Sequence, residues 1–213
     1  MKLILSSSDF INEYSTNVIL NNLNKDLSLN KVLFIPNEKA TSEKIYSDKY
    51  YKRLYNDGFI NEDNIYIFDP DKVDNFRNLD IDLIYISGGN TFATLDKIRK
   101  CNFDKDIINY INKGVIYIGG SAGAHIVTKN IEHLQEFDDN YVGMTNFDAL
   151  GLFDGIIIPH YDEEEYNPDL RKKVYEKLVN DNKYKVYTLT NDDSIVVDDD
   201  AITIYKKDTK IRK

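Results

Sequence analysis

Short, continuous apolar runs recur along the 213-residue chain, and longer stretches of helical period lie between them. Residues 2–6, 31–35, 64–68, 83–87, 115–118 and 155–158 form such runs and predict strands. Most are apolar at consecutive positions, as in strands covered on both faces. Helical patterns near residues 11–23, 42–55, 91–100 and 104–112 alternate with them, and this rhythm predicts a parallel sheet flanked by helices. Asn90 or Thr91 suits the cap of the third helix, and Gly114 suits the stop of the fourth. The end of the chain reads differently. After a helix over 169–179, the segments 185–190, 194–197 and 201–206 follow in quick succession. The acidic turn Asp198-Asp199-Asp200 predicts an antiparallel hairpin at the sheet edge.

No repeat, low-complexity linker or composition break divides the sequence, so a single domain over residues 1–213 is expected. Hydrophobic residues make up 42% and charged residues 30%, which is ordinary for a soluble globular chain. The net charge of -9 argues against a nucleic-acid partner and against an anionic membrane surface. Cys101 is the only cysteine, which excludes an intramolecular disulfide and fits a reducing compartment. The apolar run Leu3-Ile4-Leu5 is too short for a signal peptide, and no segment has the length of a membrane span. A cytoplasmic protein is expected, working as a monomer or homodimer.

The chemistry concentrates at the ends of the predicted strands. Residues 115–118 run straight into Gly119-Gly120-Ser121-Ala122-Gly123, and residues 122–129 can continue as helix. Strand, sharp turn and helix are the context of a nucleophile elbow, with helix N–H groups placed to hold a developing oxyanion. The bland alternative is a glycine-rich turn that binds phosphate or simply turns. A second glycine turn, Gly88-Gly89-Asn90-Thr91, falls at the same carboxyl edge and could supply further backbone donors.

Only three histidines are present. His160 follows an apolar strand and is placed to act as a base for Ser121. His125 lies one helical turn after the serine, as a supporting or surface group, and His133 lies in a polar stretch read as loop. Their spacing is not that of a metal site, and no cofactor is implied. A base histidine needs an acceptor on its other nitrogen. The acidic cluster 162–165 reads as a loop at the mouth of the site, so Asp192 and Asp193, at another strand end, are the better placed.

With these residues in hand, the chain resembles the peptidase E family, aspartyl dipeptidases and their relatives on a class I glutamine amidotransferase-like fold. The likeness rests on Gly88-Gly89-Asn90-Thr91-Phe92, on residues 113–124 around Ser121, and on residues 146–152 followed by Pro159-His160-Tyr161. It implies a three-layer α/β/α fold with a mainly parallel sheet. It also implies a serine peptidase acting on a short peptide, with Ser121 as nucleophile and His160 as base. The main-chain N–H groups of Gly89 and Ala122 would form the oxyanion hole. The acidic member falls near Thr190-Asn191-Asp192-Asp193, where ungapped alignment sets Asn191 at the acid's position and Asp192 one further on. Asp192 is the expected residue, and an Asn in its place would imply a differently completed triad. Asn90 and Arg171 are the expected substrate contacts. Arg171 is the only arginine where the family reads an acidic side chain, and the acidic loop before it argues against an amino-terminal aspartate. Other readings are a serine hydrolase of esters or unusual amides, as in the related cyanophycinases, or a binding module that keeps the pocket without catalysis.

Overall fold

The computed structural model describes residues 1–207. Five parallel strands form the body of the main sheet: β1 (Lys2–Ser6), β2 (Val32–Ile35), β3 (Ile65–Ile67), β4 (Leu83–Ile86) and β5 (Ile116–Gly120). Their spatial order is β3-β2-β4-β5-β1, and the antiparallel strands β8 (Ser194–Asp198) and β9 (Ala201–Tyr205) complete that edge. The predicted hairpin is therefore present, turning at Asp199 with φ 50°. β6 (Ile156–Ile158) and β7 (Val186–Thr188) pair with each other in a separate two-stranded parallel sheet.

The helices are α1 (Glu13–Asn21), α2 (Ser42–Ile45), α3 (Lys49–Asp57), α4 (Thr91–Lys100), α5 (Asp104–Asn112), α6 (Ala122–Ile126) and α7 (Pro168–Asp181). The expected helix over 42–55 is broken in two. Ser47 Oγ donates to Lys44 O at 2.8 Å and accepts from Lys49 N at 3.3 Å. This local bonding competes with the helical ladder and ends α2.

Both faces of the main sheet are apolar because its central strands are buried at every position. One face carries Leu5, Ile86 and Tyr117 into a core with α4, α5 and α6, through residues such as Leu95, Ile107 and Ile126. The other carries Ile4, Phe34, Tyr85 and Ile118 against Ile19 of α1 and Leu54 of α3. Parallel pairing then brings the carboxyl ends of β1, β4 and β5 to one edge, where Ser7, Ser87 and Ser121 each follow a strand. Among the described residues no helix is long and apolar enough to cross a membrane.

Candidate active site

β5 ends at Gly120 and α6 begins at Ala122, so Ser121 alone makes the turn. Its backbone lies at φ 48° and ψ -109°, a conformation that L-residues seldom adopt. Close packing accounts for the glycines around it. A Cβ on Gly123 would lie 2.0 Å from Ile86 O, and one on Gly120 would lie 2.3 Å from Asp9 Oδ2. Ser121 N donates to Ser6 O at 2.8 Å, fixing the elbow to the end of β1.

The small sheet delivers the histidine. Pro159 carries the chain from β6 to His160, which sits at φ 50°. Ser7 Oγ accepts from His160 N at 3.1 Å and donates to Leu189 O at 3.1 Å, so the end of β1 holds both sheets in register. The imidazole lies face to face with Tyr166, ring centroids 4.1 Å apart. Its Nε2 is 3.2 Å from Ser121 Oγ, and its Nδ1 is 2.6 Å from Asn191 Oδ1. An amide oxygen only accepts, so Nδ1 carries the proton and Nε2 presents its lone pair to the hydroxyl. Burial lowers the His160 pKa and the bond to Asn191 opposes it, leaving the ring neutral at neutral pH.

Asp192, the expected acceptor, is not at the histidine. Its carboxylate accepts from Asn12 Nδ2 at 2.5 Å and pairs with Lys207 Nζ at 2.6 Å. The reason is the turn after β7. Asp193 Oδ2 accepts from Thr190 N at 3.1 Å and closes a tight loop, on which Asn191 and Asp192 face apart. Asn191 is held toward the site, because its N–H donates to Glu163 Oε1 at 2.9 Å.

Asn90 takes the capping role that the sequence offered for it. Its Oδ1 caps α4 by accepting from Ala93 N at 2.9 Å, and its Nδ2 donates to Asp139 O at 2.8 Å. Both ends of the side chain serve the fold, and the cavity beside Ser121 is lined by Gly88 and Gly89 instead. Gly89 is required there because a Cβ would meet Asn37 Cβ at 2.5 Å. Ala122 opens α6, whose first N–H groups have no partner within the helix.

That cavity encloses about 560 Å³. Arg171 forms part of one wall, where it donates through Nε to Pro159 O at 2.8 Å and through Nη1 to Tyr166 O. Its guanidinium lies 4.4 Å from the Phe137 ring centroid. His125 and Asp138 share that wall, joined through Thr91 Oγ1 at 3.1 and 3.3 Å. His125 is buried rather than a surface group; its backbone N–H donates to Ser121 O at 3.2 Å, and its Nε2 has no hydrogen-bond partner among the described residues. Burial drives its pKa well down and keeps it neutral. His133 is buried as well, outside the loop expected for it, with Nε2 donating to Ile157 O at 2.8 Å and a pKa pushed down to about 4 by burial. Arg53, Tyr166 and Asp138 were not singled out as site residues in the sequence. Asn191 was within reach, because the ungapped family alignment sets it at the acid's position beside Asp192.

A strand-turn-helix elbow beside a tautomer-fixed imidazole can pass a hydroxyl proton to nitrogen and expose the oxygen to a carbonyl. The sequence model of peptidase family S51 matches residues 2–205, and the chain belongs to that family. It is 37% identical over 120 residues to an uncharacterized peptidase of Listeria monocytogenes, covering 54% of this chain and 56% of that protein. It is 35% identical over 82 residues to peptidase E of Citrobacter koseri, covering 38% of this chain and 35% of that protein. A crystal structure of a candidate peptidase E from Listeria monocytogenes EGD-e superposes with a TM-score of 0.75 and 25% identity, over 96% of this chain and 98% of the other. The chain thus spans little more than half the length of the first curated relative it matches.

Proposed function

We propose that this protein is a serine peptidase that hydrolyses short peptides, with dipeptides the simplest substrates. The observation that carries the reading is the relay Ser121 Oγ to His160 Nε2 at 3.2 Å and His160 Nδ1 to Asn191 Oδ1 at 2.6 Å. In it, Ser121 Oγ attacks the scissile carbonyl while His160 Nε2 takes its proton. The main-chain N–H groups of Gly89 and Ala122 hold the tetrahedral oxyanion. Collapse breaks the C–N bond, and His160 returns the proton to the leaving amine. A water molecule then cleaves the acyl-enzyme by the same route. Asn191 orients the imidazole without adding charge, as the Asn of Cys-His-Asn proteases does.

Arg171 contributes a buried cation to the cavity wall and, with Nε and Nη1 engaged, keeps Nη2 for a ligand. One cysteine, Cys101, suits a reducing compartment, and a cytoplasmic setting is part of the proposal. The test is hydrolysis of a panel of dipeptides and tripeptides. The parent should cleave a subset, and Ser121→Ala should lose at least about 10³-fold in kcat. Equal turnover by both proteins would refute the assignment.

A second reading, a pocket that binds peptides without cleaving them, is favoured by one observation. The acceptor at His160 is a neutral amide and no carboxylate. Tight binding of peptides that the parent leaves intact over long incubation would select it.

A further inference from the structure

β9 (Ala201–Tyr205) is an outer strand of the main sheet, and among the described residues only β8 pairs with it. The opposite outer strand, β3, has three residues and buries both its isoleucines. β9 has five residues and is exposed along nearly its whole length.

The alternation of hydrogen bonds fixes which of its backbone groups face outward. Asp199 N donates to Met1 O at 2.8 Å, toward β1. Successive residues of a strand point their N–H and C=O groups to opposite sides, so those of Asp198, Val196 and Ser194 point to β9. Their partners Ala201, Thr203 and Tyr205 point back. The backbone groups of Ile202 and Ile204 therefore face away from the sheet, with no strand beyond them among the described residues.

The side chains add to this edge. Ile202 lies opposite Val197 and Ile204 opposite Ile195, so both share the sheet face of Leu3 and Leu5. Val197 and Ile195 are buried in that core, whereas Ile202 and Ile204 are 37% and 44% exposed. Natural sheets blunt a free edge with a proline, an inward charge or a bulge. β9 has none of these. Its pairing with β8 is unbroken over all five residues, and Ala-Ile-Thr-Ile-Tyr carries no charge. The charges stand at its two ends instead, with Asp199 and Asp200 before it and Lys206 and Lys207 after it.

We propose that β9 pairs antiparallel with β9 of a second copy, about a two-fold axis at Thr203, and so joins the two main sheets in a homodimer. In this register Ile202 of each copy faces Ile204 of the other. These are the residues whose backbone groups point outward, so both positions close as hydrogen-bonded pairs. The same pairing gathers the isoleucines of both copies on one face. It also sets Asp200 of each copy opposite Lys206 of the other, in a chain whose net charge of -9 otherwise opposes self-association. A shift by one residue would put outward groups opposite inward ones. A shift by two would set an isoleucine opposite Asp200 or Lys206. The contact is short, below about 1,200 Å², so a dissociation constant in the micromolar range is expected.

The test is sedimentation velocity of the full chain from about 1 to about 200 μM. Dimer should accumulate with concentration, and Ile204→Lys, which puts a charge among the isoleucines, should weaken it at least about tenfold. Charge exchange reads the register. Asp200→Lys and Lys206→Asp should each weaken the dimer, and the double exchange Asp200→Lys/Lys206→Asp should restore it to within about threefold of the parent. These side chains are exposed, so melting temperatures in dilute solution should match the parent's and show that β9 still folds onto β8. A monomer at every concentration, a dimer that Ile204→Lys leaves intact, or a double exchange that fails to restore association would overturn the proposal.

Discussion

Asn191 Oδ1 lies 2.6 Å from His160 Nδ1, placing an amide where Ser-His-Asp hydrolases carry a carboxylate. The amide fixes the tautomer but supplies no countercharge to the imidazolium that forms as Ser121 attacks. Burial, meanwhile, lowers the His160 pKa. The base is neutral when active, so activity should persist below the ordinary histidine pKa of about 6.5 before protonation removes it. Asn191→Asp adds the missing charge. It should move the acid limb of the kcat/KM profile upward by about one pH unit or more. Asn191→Ala should lower kcat/KM on the order of 10²-fold through misorientation of the ring. Full pH-rate profiles of the three proteins check this, and an unmoved limb in Asn191→Asp would count against it.

Asp192 serves the surface. Asp192→Asn removes the pair with Lys207 while leaving Asn191 and His160 in place. Its kcat/KM should stay within about twofold of the parent, with about 0.5 kcal/mol lost in denaturant melts. A loss of activity comparable to that of Asn191→Ala would return Asp192 to the catalytic set.

Ser121 holds a strained backbone at φ 48°. Glycine adopts such angles without a Cβ penalty, so Ser121→Gly should be stabilised by about 1 kcal/mol while losing activity. For a chain of this size the melting temperature should rise by about 2–4 °C. Ser121→Ala, which keeps the Cβ, should show no comparable gain. Differential scanning calorimetry of both variants separates strain at the elbow from any general effect of losing the hydroxyl.

The Asp57 carboxyl is raised to about 6, chiefly by burial, with Arg53 opposing and Asp9 adding to the shift. The unfolded chain releases that proton near pH ~3.9, so the folded state holds it more tightly. Stability is therefore lost as pH rises from about 4 through about 6. Asp57→Asn removes this penalty. It should gain about 1–2 kcal/mol at neutral pH, allowing for partial solvent screening, and almost nothing at about pH 3.5. Melts at the two pH values give the comparison, and an equal gain at both would point to packing instead.

The strands and the elbow were legible because buried parallel strands leave continuous apolar runs and the turn needs glycine at fixed places. α4 (Thr91–Lys100) and α5 (Asp104–Asn112) match their predicted bounds, with Asn90 as the working cap. The separate pairing of β6 with β7 was not legible, since three consecutive isoleucines fit either sheet. The acceptor is Asn191, which the family alignment offered beside Asp192; the carboxylate was preferred for its charge, but the turn closed by Asp193 sends the two adjacent side chains opposite ways. Asn90 is the cap expected of it, and its side chain is not among the groups that line the cavity beside Ser121. Arg53 belongs to the site only through the packing of α3 on Tyr85 and Ser87, a relationship without sequence spacing.

The central claim is that Ser121 is the nucleophile and His160 its base. Its most direct test is labelling with a serine-reactive fluorophosphonate, followed by peptide mapping by mass spectrometry. One adduct is expected, on Ser121, absent from Ser121→Ala and strongly slowed in His160→Gln. An adduct on any other residue, or labelling of His160→Gln at the parent's rate, would contradict it.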